Sequence, residues 1–130
     1  MGVSYEVDPD RALVCIEFFG TSGISEVYEV LDRVAADPRV GPGTSMISDH
    51  TRETTVADTT TLSPLLPRFA DFMRKLESNR CALVSTNPAQ LGAMNLFAAH
   101  ADLHGFDVRV FRSRTEAEDW LAKKRGETGD

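Results

Sequence analysis

From Gly20 to the end of this chain, every strand-like run is separated from the next by a segment with helical periodicity. That alternation is the strongest constraint the sequence carries. Two strands joined through a helix run parallel, because a tight turn can link only antiparallel neighbours. The first twenty residues differ. VSYEV alternates, with Val3, Tyr5 and Val7 on one face, and Asp8-Pro9-Asp10-Arg11 has the chemistry of a turn. ALVCIEFF then runs almost continuously apolar up to Gly20, as a strand buried on both faces does. A hairpin therefore opens the chain.

The remaining elements follow from period and punctuation. Ile24, Val27, Val30, Leu31 and Val34 recur at helical spacing, with Ser22 or Ser25 as the N-cap and Asp37-Pro38 as the stop. Thr44 to Asp49 is a short strand. Leu62, Leu65, Leu66, Phe69, Phe72, Met73 and Leu76 trace one long helical face, with Pro64 suited to the first turn after Ser63. Cys81 to Ser85 is the fourth strand. Asn87-Pro88 is a cap followed by a first-turn proline, and Leu91, Met94, Phe97, Ala101 and Leu103 carry that helix towards Gly105. Val108 and Val110 flank Arg109 in a fifth strand. Ser113 and Glu116 form a capping box for a last helix that buries Ala117, Trp120 and Leu121.

The expected fold is thus α/β: one mixed, mostly parallel five-stranded sheet in the order β-β-α-β-α-β-α-β-α. The 130 residues suit a single domain, with a core over about residues 3–122 and a frayed tail at 123–130. Sequential strand order with right-handed crossovers predicts all four helices on one face. The other face would then be open, and its burial predicts a homodimer.

Composition excludes more than it names. The net charge of −6 offers no field for nucleic acid or an anionic membrane surface. No apolar run is long enough to span a bilayer, and MGVSYEVD has no signal-peptide core. Met1-Gly2 with Ser4 only partly matches a myristoylation signal. The expected location is cytoplasmic. Cys15 and Cys81 lie in apolar runs and are expected as small buried hydrophobes; pairing them requires their strands to lie close together. Glu17, the single acid in its apolar run, is expected to reach solvent or an arginine.

Taken together, VSYEVDPDRALVCIEFFG, ADPRVGPG, SDHTR, GAMNLFAAHADLHGFDVRVFRS and EAEDWL resemble the SpoIIAA-like family of small bacterial proteins, which share the STAS and CRAL-TRIO type of fold. The resemblance covers about residues 3–122. It implies a non-enzymatic binding or regulatory module that acts through a protein partner, or alternatively a carrier of a lipid-like ligand. Where the family usually shows a Gly-Met-Ala-Arg-like run, this chain has Gly92-Ala93-Met94-Asn95, without the arginine.

Function centres on SDHTRETTVADTTT, Ser48 to Thr61. STAS antagonists carry a phosphorylated serine in an Asp-Ser-Ser-Gly-like run opening a helix, and this chain has no such run. Hydroxyls at Thr51, Thr54, Thr55, Thr59, Thr60, Thr61 and Ser63 fit caps and turns instead. Asp49 and His50 are adjacent, so on an extended chain they point to opposite faces and do not make a catalytic pair. Asp49 is expected to pair with Arg52 or with loop amides. No GxSxG, GxGxxG or P-loop motif is present. His100 and His104 are four apart but lack the Glu of an HExxH frame, so neither a metal nor a cofactor is expected. Ligands of open α/β sheets bind beyond the carboxyl ends of the strands. A polar rim of Asp49, His50, Arg52, Ser85, Thr86 and Asn87 is therefore the candidate ligand site. The helix bearing Leu62, Leu65, Leu66, Phe69, Phe72 and Met73 is the candidate lid over a hydrophobic ligand.

Overall fold

A computed structural model describes residues 2–21, 23–54, 64–78 and 80–129, with side chains as far as Lys123. The elements are β1 (Val3–Asp8), β2 (Leu13–Gly20), α1 (Ile24–Ala36), β3 (Ser45–Glu53), α2 (Leu65–Lys75), β4 (Arg80–Val84), α3 (Pro88–Asp102), β5 (Asp107–Phe111) and α4 (Arg114–Gly129). The five strands lie in sequential order. β1 pairs antiparallel with β2, and every later pair is parallel. The fold class expected from the alternation is the fold observed.

Side chains alternate across the sheet and feed two separate cores. Val14, Ile16 and Phe18 of β2 join Met46, Cys81, Leu83 and Val108 on one face, beneath Val30 and Val34 of α1, Phe69 and Met73 of α2, and Met94 and Phe97 of α3. Leu13, Cys15, Ile47, Ala82 and Val84 point the other way and meet Ala117 and Leu121 of α4. The near-continuous apolar run of β2 is the sequence of a strand covered on both sides.

The expectation of four helices on one face is therefore corrected. Crossover handedness places a helix only if it joins two strands of the sheet. α1, α2 and α3 do so and share a face; α4 follows the last strand and folds back onto the opposite one. What it leaves outside is the edge strand, whose Ser4 and Glu6 on that side are exposed and polar. Among the described residues, the second face is covered by α4 and is not the open apolar face from which a homodimer was expected.

Local details also differ. The N-cap of α1 is Gly23, whose amide is capped by the Glu26 side chain at 3.1 Å. Ser25 lies inside the helix, and Ser22 is outside the described residues. β3 runs on to Glu53, four residues past the expected end at Asp49, because a bulge between Glu17 and Phe19 lets β2 pair Phe19 with Arg52 and Gly20 with Glu53. SDHTRE is thus strand, not loop. α2 starts after Pro64, so Pro67 stands in the first turn, where no intrahelical amide is required. β4 begins at Arg80 and ends at Val84, and α3 ends at Asp102. α4 spans Arg114–Gly129.

Cys15 and Cys81 are free and buried, but on opposite faces of the sheet with β3 between their strands. A disulfide between them is excluded. Gly2 is packed so closely under β2 that a Cβ there would stand 1.6 Å from the Phe19 carbonyl oxygen. Its own carbonyl accepts the Phe19 amide at 2.7 Å, which ties the first residues into the sheet.

Candidate functional site

The carboxyl ends of β3 and β4 carry a line of joined polar side chains. On β3, Ser48 and His50 point to the three-helix face, and Asp49 between them points to the α4 face, as strand alternation requires. Ser48 Oγ lies 2.7 Å from His50 Nε2, and His50 Nδ1 lies 2.8 Å from Glu53 Oε1. The same carboxylate oxygen accepts Gln90 Nε2 of α3 at 2.6 Å. Gln90 Oε1 in turn accepts the Ser85 hydroxyl at 2.5 Å, and Ser85 Oγ accepts the Asn87 amide at 3.1 Å. Two hydrogen-bond chains therefore converge on Glu53, one from β3 and one from the β4–α3 junction.

The acceptor-only carboxylate sets the direction of the bonds at Glu53. A carboxylate only accepts, so the proton between His50 and Glu53 sits on Nδ1. In that tautomer of the uncharged imidazole, Nε2 is an acceptor and the Ser48 hydroxyl donates to it. The Ser85 hydroxyl, donating a hydrogen bond to Gln90 Oε1, orients that amide so that its NH₂ faces Glu53. Phe18 holds the imidazole from the side, stacked at 4.2 Å between ring centroids with the planes 8° apart. Ser48, Ser85 and Gln90 are all buried, at 6%, 0% and 5% exposure. Buried groups joined in this way form a cooperative and rigid network.

Of the six expected rim residues, the structure gathers only some. His50 and Ser85 belong to the relay, and Asn87 supports it while capping α3 through Oδ1 to the amides of Ala89 and Gln90. Ser85 is fully buried and forms no rim. Asp49 is 5% exposed on the opposite face, its Oδ1 accepting the amide and hydroxyl of Thr51 at 2.9 and 2.7 Å. Arg52 does not meet Asp49. It reaches Glu17 at 3.6 Å and lies over the Phe19 ring, answering the expectation of an arginine beside that acid. Arg52, Thr86 and Asn87 are exposed.

The residues that sequence reasoning passed over are Ser48, Glu53 and Gln90. The signal was the i, i+2 spacing of Ser48 and His50, which puts both on one face of a strand. It becomes readable only once β3 is known to extend to Glu53.

Of the candidate lid, Leu62 lies outside the described residues. Phe69, Phe72 and Met73 are built into the main core, at 3%, 4% and 0% exposure, with Leu65 and Leu66 half-buried beside them. Phe69 makes edge contacts with Phe97 and Phe106. The outer side of α2 meets α1 in a shallow groove lined by Leu31, Asp32, Ala35, Arg68, Asp71 and Lys75. There Arg68 lies over the Tyr28 ring at 4.4 Å and reaches Asp32 at 3.4 Å.

Among the described residues, no group of three or more metal-ligating side chains is assembled, and no helix is long and apolar enough to cross a membrane. No family model and no curated protein matches the chain. Among solved structures it is similar to an uncharacterized protein of the DUF3478 family with a SpoIIAA-like fold, from Shewanella loihica PV-4. The likeness covers 92% of this chain and 91% of that one, at a TM-score of 0.56 and 18% identity. The architecture reached from the alternation of strands and helices is thus a SpoIIAA-like α/β fold.

Proposed function

We propose that this chain is a binding or regulatory module of STAS type that works through a protein partner. The observation that carries the reading is the division between its filled interior and its polar rim. The helix that would have to lift for a hydrophobic ligand has Phe69, Phe72 and Met73 locked into the core. Among the described residues, the space beneath this helix is occupied by the protein's own side chains. Arg52, Thr86 and Asn87 stand exposed at the carboxyl ends of neighbouring parallel strands, a position where open α/β sheets engage their ligands. An exposed arginine beside an aromatic ring is also a common anchor of protein interfaces.

A second copy of the chain is one such partner. With α4 over the second face, a homodimer would form through another surface, such as the rim or the α1–α2 groove.

The test combines native mass spectrometry with affinity capture. The expected result is a polypeptide free of adducts that retains a protein partner, with capture lost in Arg52→Glu combined with Thr86→Arg. A hydrophobic molecule released on denaturation would overturn this reading in favour of the carrier.

A further inference from the structure

We propose that Ser48 is a nucleophile for acyl transfer, with His50 as its general base and Glu53 as the group that orients the base. An activated serine requires a base within hydrogen-bond reach, itself held by a third group in one tautomer and orientation. Ser48, His50 and Glu53 meet that requirement at 2.7 and 2.8 Å. Glu53 fixes the proton on Nδ1 and so leaves Nε2 free to take the Ser48 proton. Phe18 prevents the ring from tilting, and Gln90, braced by Ser85, holds the Glu53 carboxylate. Each member is positioned by another residue, which is how a site built for chemistry differs from a single buried contact.

The inference goes beyond the binding role and reverses the expectation of a non-enzymatic chain. That expectation came from the family resemblance, and the one pair weighed as catalytic, Asp49 and His50, does point to opposite faces. The partners of His50 are instead two residues before it and three after it.

The surroundings indicate the substrate class. Ser48 lies in register between Ile16 of β2 and Leu83 of β4, both on the same face and both buried. Ser48 itself is only 6% exposed, which limits the reaction to a small acyl group. The substrate is a small carboxylic ester or thioester.

The step balances without a further reactant. A bond forms between Ser48 Oγ and the acyl carbon while the hydroxyl proton passes to His50 Nε2. The bond from the acyl carbon to the leaving oxygen or sulfur breaks, and that atom takes the proton from Nε2. Water then attacks the acyl-serine, giving its proton to Nε2, and the Oγ–acyl bond breaks with return of that proton to Ser48. The products are a carboxylic acid and an alcohol or thiol.

The full chain is incubated with diisopropyl fluorophosphate and, separately, with p-nitrophenyl acetate. The expected result is a single adduct mapped to Ser48 and a burst of one equivalent of p-nitrophenol. Both are absent in Ser48→Ala. Labelling is slowed by roughly 100-fold or more in His50→Gln. Glu53→Gln, a near-isostere, should also slow labelling while its melting curve shows that it remains folded. A wild-type protein that forms no adduct at Ser48 overturns the proposal, whatever the variants do. So does an adduct that forms at an unchanged rate in folded His50→Gln. Neither result bears on capture of a protein partner, so the two readings fail independently.

Discussion

Phe18 lies flat against His50, with ring centroids 4.2 Å apart and planes 8° from parallel, although the two are on neighbouring strands and 32 positions apart in the chain. The stack joins the main core to the polar relay, since Phe18 belongs to one and His50 to the other. Removing the acceptor on which the relay converges is predicted to be costly. Glu53→Ala leaves His50 Nδ1 and Gln90 Nε2 without the oxygen they share, and a buried donor left without its acceptor costs about 1–3 kcal/mol. Urea unfolding of Glu53→Ala, with Glu53→Gln as a milder control, checks this.

α2 ends in a motif that prefers glycine. Ser78 N–H donates to the Met73 carbonyl and Glu77 N–H to the Arg74 carbonyl, both at 3.0 Å, which is the bond pattern of a Schellman cap. Glu77 occupies its left-handed position at φ +51°. A side chain is strained there and glycine is not. Glu77→Gly is predicted to stabilise the protein by about 0.5–1 kcal/mol, visible as a raised denaturation midpoint with an unchanged m-value.

Acid should act through Asp37. The Arg39 guanidinium and amide, with the Tyr5 hydroxyl, hold its carboxyl well below the usual range. A group whose pKa is depressed on folding contributes stability above its unfolded pKa, near 3.9, and loses it as the pH falls towards the folded value. Asp37→Asn should therefore be less stable than wild type at pH 6. The gap should narrow once the pH drops below about 4. Denaturation of both proteins across that range, at fixed salt, measures it.

The thiols should be silent in the native protein. Burial pushes Cys15 up to about 11, and Cys81, fully enclosed, is raised further. Thiolate is the reactive form. Little reaction with a disulfide reagent at pH 8 is expected until the chain is unfolded. Both cysteines should then titrate without prior reduction, because their placement on opposite faces prevents a disulfide.

Leu121 anchors α4 to the second face and is 3% exposed. Leu121→Ala is predicted to cost about 2–4 kcal/mol, within the range for large-to-small core changes. It should also expose Ile47 and Val84, so light scattering on warming should show association at temperatures where wild type stays clear.

What could be read in the sequence was what is local. Asn87-Pro88 does cap and open α3, and Ser113 receives the Glu116 amide at 3.2 Å as the capping box required. Helical faces were legible because one residue in three or four had to be apolar. β3 beyond Asp49 was not, because His50, Thr51, Arg52 and Glu53 have no apolar alternation; their strand depends on pairing with Phe19 and Gly20 across a bulge. The relay was hidden for the same reason, since Gln90 meets Glu53 only through the sheet order. The side taken by α4 was equally hidden, because α4 does not join two strands of the five-stranded sheet.

That terminal helix sets an order for the making of the protein. Leu13, Cys15, Ile47, Ala82 and Val84 are all synthesised before Ala117 and Leu121, the residues that cover them. A nascent chain with all five strands in place still presents one bare greasy side until α4 has been made and closes it. A message cut short before Ala117 would yield a complete sheet with one adhesive face, so α4 decides whether that face is covered.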